Sequence, residues 1–309
     1  MPGMQPRPPA SPPVEIRLPA PAKINLALTI TGRRPDGYHD LDTVFLALPE
    51  PHDTLFVAPG PPGSGLALDC PIPGLPPERN IIYKAWDRHA AATGARADLA
   101  VRVDKGIPTG AGLGGGSSDA AAMLAHLQTL AGPRALAPDD LNRLAAGLGA
   151  DVPFFLLRPG QGGGAARAAG IGEVLEPLGL DELGLAGLTL LLACPPEAVN
   201  TAWAFAQWDR LQEGPGGFRA FLTTRKQGTT NSAPARTLVL RNDFEAVVFG
   251  PHPGLRRIKL ELLQAGASAC VLSGSGASLY ALFRDPHAAA RAGEALGRRR
   301  VQTFVHTLC

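Results

Sequence analysis

Residues 105–119 concentrate the residue types that bind phosphate groups. Six glycines lie between Gly106 and Gly116, and good helix formers follow directly from Ala120. Glycine lets another group approach the backbone closely, and a glycine loop that opens into a helix leaves unpaired N–H groups at the positive end of the helix dipole. The stretch therefore predicts an anion cradle, most simply for phosphate. The hydroxyls of Ser117 and Ser118 are placed to cap the helix or to meet a metal-bound phosphate.

Two familiar nucleotide patterns fit this stretch incompletely. Gly110, Gly112 and Gly115 satisfy the dinucleotide pattern, but the acidic candidates farther on, Asp139 and Asp140, belong to a predicted turn and helix start. The Walker A pattern fails because no Gly-Lys-Ser/Thr closes the loop. A flexible linker ending in a serine N-cap is the simple alternative, and the abrupt change into an alanine-rich helix argues against it.

Lys23, Asn25 and Asp151 are polar residues outside this loop whose surroundings favour a chemical role. Lys23 and Asn25 lie two apart in a stretch that predicts a strand over 20–28, so they share a face. Burying both is costly unless they serve a purpose, although an edge strand with a solvated face would also explain them. Asp151 follows two glycines and precedes an apolar run. Its local sequence is equally typical of a helix cap and of a catalytic acid or base.

Two further turns carry groups that either contact a ligand or only reverse the chain. Tyr38 and His39 occupy a polar turn at 32–40, where recognition groups and surface decoration are equally plausible. The run from Ser273 to Gly276 joins two apolar segments. It is either a tight turn between strands or a second backbone loop folded against the first.

Apolar spacing supplies the elements that position these residues. Strands are predicted over 14–18, 20–28, 41–48, 99–104 and 188–193, and helices over 80–91, 118–130, 139–148 and 252–264. The Pro-rich stretch 1–13 predicts a disordered tail, and the polar stretch 214–236 a mobile segment. A glycine turn at 161–164 predicts the connection between two domains, 14–162 and 163–309.

The composition is that of an ordered globular protein with two domains or one large one. The chain has 309 residues, of which 45% are hydrophobic and 18% charged. A net charge of +2 gives no reason to expect binding to nucleic acid or a membrane. The four cysteines are widely spaced, and the longest apolar run, 183–194, is too short to span a bilayer. Free thiols in a cytoplasmic protein are therefore expected.

Five segments, taken in order from about Leu18, resemble one superfamily of kinases. They are Pro21-Ala-Lys-Ile-Asn-Leu, Arg34-Pro-Asp-Gly-Tyr-His, the loop from Pro108 to Ala122, Gly149-Ala-Asp-Val-Pro-Phe-Phe and Ser273-Gly-Ser-Gly. The glycine loop resembles the phosphate loop of the GHMP kinases, the superfamily of galactokinase, homoserine kinase and mevalonate kinase. Within it, the five segments together resemble the family of 4-diphosphocytidyl-2-C-methyl-D-erythritol kinases of the non-mevalonate isoprenoid pathway.

This resemblance implies an α+β protein with the two-domain GHMP kinase fold and an active site in the cleft between the domains. It implies ATP-dependent phosphorylation of the 2-hydroxyl of the family substrate, with Mg²⁺ on the ATP phosphates and no protein ligand assigned to the metal. The expected partner is a small molecule carrying a cytidine diphosphate group, bound by a monomer or weak dimer. A homoserine- or mevalonate-type kinase, a nucleotide-binding oxidoreductase and a non-catalytic protein with a kinase fold remain alternatives.

The resemblance also implies residue roles. Asp151 would be the general base and Lys23 its cationic neighbour, although Lys23 could be the main contributor while Asp151 only orients the hydroxyl. Tyr38 and His39 would recognise the cytosine, with Phe205 stacking opposite Tyr38. The ATP phosphates would lie against Pro108, Gly110, Ala111, Gly112, Leu113, Gly114, Gly115, Gly116, Ser117 and Ser118. The substrate would also contact Asn25 and Thr201, and a third glycine loop comprises Ser273, Gly274, Ser275 and Gly276.

Overall fold

Two β-sheets with helices packed around them make up the computed structural model, which describes residues 15–157, 164–213 and 238–308. The strands are β1 (Ile16–Arg33), β2 (His39–Pro59), β3 (Leu66–Asp69), β4 (Leu99–Asp104), β5 (Ala165–Gly170), β6 (Val174–Leu178), β7 (Thr189–Cys194), β8 (Ala269–Leu272), β9 (Leu279–Phe283) and β10 (Gln302–Thr307). The helices are α1 (Ile81–Thr93), α2 (Gly115–Ala131), α3 (Pro138–Leu148), α4 (Val152–Leu156), α5 (Thr201–Glu213), α6 (Glu245–Val248), α7 (Pro253–Gln264) and α8 (Pro286–Gly297).

The first sheet is built around the long strand β2. Its order is β3-β4-β2-β5-β6, and β1 pairs antiparallel with β2 along most of its length. The first part of β2 pairs with β5 and the last part with β4, so one strand joins both ends of the sheet. β4 covers the predicted range 99–104, and its buried residues Leu99, Val101 and Val103 alternate with exposed ones. This alternation lets α1 and α2 cover one face of the sheet.

The structure corrects the prediction of two separate strands before residue 29. β1 is continuous from Ile16 to Arg33 and passes through Pro19 and Pro21. Proline cannot donate a ladder hydrogen bond, but it is tolerated at edge positions and at bulges. The β1–β2 register shifts between Pro21 and Ala22, where such an irregularity absorbs the missing donor.

The second sheet has the order β10-β7-β9-β8 and is antiparallel throughout. All six residues of β7 are buried, which explains why this segment appears in the sequence as a continuous apolar run. Helices α7 and α8 pack against this sheet. Their buried residues, such as Ile258 and Leu296, join the core around Leu191 and Leu279.

The two sheets share a hydrophobic core. Ile24 and Leu26 of β1 belong to the same buried cluster as Leu192 of β7 and Tyr280 of β9. The fully buried Tyr280 hydroxyl donates a hydrogen bond to the Leu26 carbonyl at 2.6 Å. This bond joins strands of the two sheets.

The segment before α6 provides a second connection to β1. The Leu28 N–H donates to the Arg241 carbonyl at 2.8 Å, and the Asp243 N–H donates to the Leu28 carbonyl at 3.0 Å. Asp243 Oδ2 also accepts from the Ile30 N–H at 2.9 Å. The second half of β1 is therefore held by backbone groups and one side chain from the last quarter of the chain.

Several predictions concern residues outside the described part of the chain: the tail at 1–13, the turn at 161–163, the segment 214–236 and Cys309. The division after residue 162 falls in the same gap and stays a prediction. β5 and β6 follow this gap and complete the first sheet. Cys70, Cys194 and Cys270 are free thiols. Among the described helices, none has the length and apolarity needed to cross a bilayer.

Replacing Tyr280 by phenylalanine tests the connection between the sheets. The change leaves the buried Leu26 carbonyl without its partner, so we expect the free energy of unfolding to fall by about 1–2 kcal/mol. Urea denaturation measures this change. Tyr83→Phe is the matched control, because the Tyr83 hydroxyl has no hydrogen-bond partner in the described residues. Equal stability of the two variants would contradict a structural role for the Tyr280 bond.

Candidate active site

A cleft of about 1130 Å³ lies where the two halves of the fold meet. Its walls come from β1, the turn before β2, the loop between β4 and α2, the end of α3 with the turn that follows it, helix α5 and the loop between β8 and β9. Each stretch singled out in the sequence contributes to this one cavity. The cleft is large enough for a nucleotide and a second small molecule.

The glycine loop enters helix α2 at its base. α2 begins at Gly115, three residues before the predicted start, and Gly114 is its N-cap with φ of 73°. No side chain caps the helix, so of the two roles left open for Ser117 and Ser118, a helix cap or a contact with a metal-bound phosphate, the cap is wrong. Ser117 and Ser118 lie within the first turn instead, and the buried Ser118 hydroxyl has no hydrogen-bond partner in the described residues. The uncapped N–H groups of this helix start are the donors that an anion would meet.

The glycine loop is packed directly against the loop between β8 and β9. A Cβ atom on Gly112, whose φ is 75°, would lie 2.4 Å from the Ser273 carbonyl oxygen. The Ser273 hydroxyl donates to the Gly112 carbonyl at 3.2 Å, and the Ser278 N–H donates to the Ala111 carbonyl at 3.1 Å. From the other side, the Lys23 N–H donates to the Leu113 carbonyl at 2.9 Å. Backbone contacts on two sides therefore fix the loop.

The second loop has its own support. The side-chain amide of Asn242, which is buried, donates to the carbonyls of Leu272 and Gly274, both at 2.7 Å. The hydroxyls of Ser275 and Thr201 are 2.8 Å apart, and this contact joins the loop to the start of α5. Asn242 therefore holds a turn that follows it by about thirty residues in sequence.

A buried ionic cluster lies beneath the start of the glycine loop. The Lys105 ammonium contacts the carboxylate of Asp53 and lies 2.8 Å from that of Asp119. Asp53 Oδ1 also accepts hydrogen bonds from the N–H groups of Gly106 and Ile107, each at 2.8 Å. The two carboxylate side chains are 0% and 4% exposed. This cluster joins β2, the loop and α2 just after its first turn.

Burial governs the protonation of this cluster. It raises the pKa of Asp119 to about 7; the Lys105 charge opposes this shift and the Asp53 charge adds to it. Burial alone would lower the pKa of Lys105, but the two carboxylates outweigh it and raise that pKa. With one ammonium between two carboxylates, Asp119 is the group that retains a proton.

Lys23 and Asp151 form an ion pair in the cleft, with Nζ and Oδ2 3.2 Å apart. Lys23 is nearly buried, donates to Asn25 Oδ1 at 2.8 Å and lies 4.7 Å from the centre of the Phe45 ring. The Asn25 amide in turn donates to the Thr43 hydroxyl at 2.8 Å. Asp151 precedes α4, but its side chain does not cap that helix. Its carboxylate therefore faces Lys23 and the cleft.

Aromatic residues line the other end of the cleft. The His39 ring stacks on Phe205, with centroids 4.5 Å apart and planes 17° apart. Phe205 also makes an edge contact with Phe244 at 4.8 Å. Tyr38 is 60% exposed and has no ring contact in the described residues. The resemblance led us to expect Phe205 opposite Tyr38. In the structure, the ring that stacks on Phe205 is that of His39.

Most of the predicted site residues line this cleft. They are Lys23, Asn25, Tyr38, His39, Pro108, Gly110, Ala111, Gly112, Leu113, Gly114, Gly115, Gly116, Ser117, Asp151, Thr201, Phe205, Gly274 and Ser275. Ser118, Ser273 and Gly276 are buried behind it and do not line it.

Known proteins with similar sequences decide the family. The models described as GHMP kinases N terminal domain and GHMP kinases C terminal match residues 80–158 and 231–302. The chain is 46% identical over 286 residues to a 4-diphosphocytidyl-2-C-methyl-D-erythritol kinase of Nitratidesulfovibrio vulgaris strain DP4, covering 93% of this chain and 96% of the relative. The chain belongs to the 4-diphosphocytidyl-2-C-methyl-D-erythritol kinase family of the GHMP kinases.

Solved structures agree with this assignment. A crystal structure of 4-(cytidine 5'-diphospho)-2C-methyl-D-erythritol kinase matches with a TM-score of 0.70 and 31% identity, covering 94% of this chain and 98% of that one. A homoserine kinase from Cytophaga hutchinsonii matches with a TM-score of 0.63 at 18% identity, covering 94% and 93%, and this shows the shared fold alone. The predicted GHMP kinase fold is confirmed, and the oxidoreductase alternative is wrong.

Four residues that line or support the cleft were missed by sequence reasoning: Asp53, Asp119, Asp209 and Asn242. Asp53, Asp209 and Asn242 act through partners at least thirty residues away in the chain, as Asp53 does through Lys105. Asp119 alone had a local signal, because it directly follows the two serines of the loop. A buried carboxylate near the start of a helix is costly without a cation, and Lys105 opens the same segment.

Gly112→Ala tests the close approach of the two loops. Alanine at a positive φ costs about 1–2 kcal/mol, and the contact with Ser273 adds to it, so we expect the free energy of unfolding to fall by about 2–4 kcal/mol. Gly116→Ala is the matched control, since its Cβ would meet only Ile81 at 3.7 Å. Within α2 that change should raise stability by about 0.5–1 kcal/mol. Urea denaturation should therefore show changes of opposite sign in the free energy of unfolding of the two variants. A Gly112→Ala variant as stable as wild type would contradict the close packing of the two loops.

Asp119→Asn tests the buried cluster through pH. Unfolded, Asp119 loses its proton near 3.8; folded, it retains the proton up to about 7. Between these values the folded kinase binds more protons than the unfolded chain, so its free energy of unfolding falls as pH rises. The variant lacks this decline. Its free energy of unfolding relative to wild type should therefore rise by up to about 4 kcal/mol between pH 4 and 7. Urea denaturation across this range measures it, with the exposed Asp140→Asn as control. Parallel wild-type and Asp119→Asn curves would contradict the assignment.

Proposed function

We propose that the chain transfers the terminal phosphoryl group of ATP to the 2-hydroxyl of 4-diphosphocytidyl-2-C-methyl-D-erythritol. The observation that carries this proposal is the Lys23–Asp151 pair, which lies in the same cleft as the glycine loop. Phosphoryl transfer depends on positioning and charge stabilisation rather than on covalent chemistry. An acid–base pair next to an anion cradle supplies both.

Asp151 is the group that would accept the proton of the acceptor hydroxyl. Its side chain is 28% exposed, so the carboxylate is open to the cleft, while Lys23 is held behind it. A carboxylate within hydrogen-bond reach of the hydroxyl takes its proton as the new bond to phosphorus forms. The Lys23 ammonium, fixed by Asn25 and Phe45, would stabilise negative charge on the transferred group.

The glycine loop and the start of α2 would hold the ATP phosphates. The uncapped N–H groups of the first turn supply donors, and the helix dipole adds positive potential. The described residues contain no cluster of three His, Cys, Asp or Glu able to cage a metal. The N–H groups of the glycine loop would bind the phosphates, and Mg²⁺ would be carried mainly by phosphate oxygens and water. When bound, Mg²⁺ supplies charge that offsets the negative charge of the phosphates.

The aromatic end of the cleft would hold the cytosine. Phe205 and Phe244 give an apolar surface for a base, and His39 supplies polar ring nitrogens next to it. Tyr38, which is exposed at the rim, would cover the base once it is bound. Stacking from such residues contributes affinity, and the polar edge selects the base.

The three free thiols of the described chain suit a reducing compartment such as the cytoplasm.

Asp151→Asn tests the proposed base. The amide cannot accept the hydroxyl proton, so we expect kcat with ATP, Mg²⁺ and the cytidylated substrate to fall by about a hundredfold or more. ATP binding, measured by calorimetry, should be retained because the glycine loop is unchanged. Turnover is followed by ADP release, and homoserine and mevalonate are tested as alternative acceptors.

Asp139→Asn is the matched control, because Asp139 is exposed on α3 and does not line the cleft. It should leave kcat unchanged. If Asp151→Asn retains most activity, Asp151 only orients the hydroxyl and Lys23 makes the main contribution. If wild type phosphorylates another acceptor but not the cytidylated one, the proposed substrate is wrong.

A further inference from the structure

Helix α5 holds the His39 ring on two sides. Phe205 and Asp209 are four residues apart on this helix and therefore point to the same side. Phe205 stacks on the face of the imidazole, and Asp209 Oδ1 lies 2.7 Å from its Nε2 atom. The His39 side chain is only 6% exposed, and it forms part of the cleft wall. One contact fixes the plane of the ring and the other fixes its rotation within that plane.

The Asp209 contact also decides which ring nitrogen carries the proton. A carboxylate can only accept, so Nε2 must be the N–H donor when the imidazole is neutral. Nδ1 is then left with a lone pair and is a hydrogen-bond acceptor. Within the described part of the chain Nδ1 has no hydrogen-bond partner, so it is available to a ligand.

Arg33 faces the other oxygen of the carboxylate. Its guanidinium lies 3.4 Å from Asp209 Oδ2, so the two oxygens of Asp209 face two different donors. This arrangement has a consequence for substitution. In an asparagine at this position, Arg33 would keep the amide oxygen, and the amide N–H₂ would be directed at His39.

We propose that Asp209 is a positioning residue that sets base selectivity through the His39 tautomer. An acceptor at Nδ1 matches the exocyclic amine of cytosine, which donates, and opposes the carbonyl that uracil has at the same place. This inference rests on the proposed function, in which His39 contacts the base. It adds that the choice between the two pyrimidines depends on a carboxylate that does not touch the substrate.

The tautomer can be measured without any substrate. In ¹⁵N-labelled protein at alkaline pH, where the ring is neutral, the Nε2 of His39 should show the chemical shift of a protonated nitrogen and Nδ1 that of an unprotonated one. Asp209→Asn should reverse these two shifts, because the amide now donates to Nε2. His39→Gln identifies the signals. Unchanged shifts in Asp209→Asn, with the fold intact, would overturn the proposal.

Selectivity is measured with the cytidine diphosphate substrate and its uridine analogue. We expect Asp209→Asn to raise KM for the cytidine substrate about tenfold and to lower the cytidine-to-uridine ratio of kcat/KM by tenfold or more. kcat should change little, because Lys23 and Asp151 are untouched. Asp209→Ala, which leaves both tautomers available, should fall between wild type and Asp209→Asn.

Asp87→Asn is the matched control, because Asp87 is exposed on α1 and lies outside the cleft. It should leave the selectivity unchanged. An equal loss for both substrates in Asp209→Asn would show a merely structural role and overturn the proposal. A wild type that uses neither substrate would instead contradict the proposed function, while the His39 shifts would still report on Asp209.

Discussion

The contact between two backbone loops sets the geometry of the whole site. Gly112 and Ser273 approach so closely that no side chain fits between them. The same glycine loop accepts a hydrogen bond from the backbone of Lys23, so the strand that carries the ammonium is placed relative to it. The second loop binds Thr201 through Ser275, which places α5 and its aromatic residues. Both ends of the cleft therefore take their positions from one point of contact.

Local patterns in the sequence predicted much of the fold. The alternation in 99–104 predicted β4, and the helical spacing in 139–148 predicted α3 to within one residue. The errors came where tertiary contacts outweigh local preference. Pro19 and Pro21 suggested a break, yet β1 continues because these prolines lie at a strand edge and next to a register shift. The serines suggested a cap for α2, yet a glycine in a left-handed conformation begins the helix earlier.

The site was predictable where its residues act near their own position in sequence. The glycines of the loop and the shared strand face of Lys23 and Asn25 are such signals, and these residues do line one cleft. Asp53 and Asp209 had no such local signal. Asp53 contacts Lys105, which is fifty-two residues away in the chain, and Asp209 contacts His39, which is one hundred and seventy residues away. Even His39, singled out beside Tyr38, gave no sign that Phe205 would stack on it.

Strand β1 belongs to both halves of the molecule, and this limits how the cleft can move. Its Leu26 carbonyl is held by Tyr280, and its Leu28 backbone by residues on either side of Asn242. A hinge between the halves would have to break these buried bonds together with the core that both sheets share. These contacts therefore hold the two walls of the cleft to one another in the folded chain. A cleft held in this way leaves more of the binding free energy of the ligands available for affinity and for orienting the reacting groups.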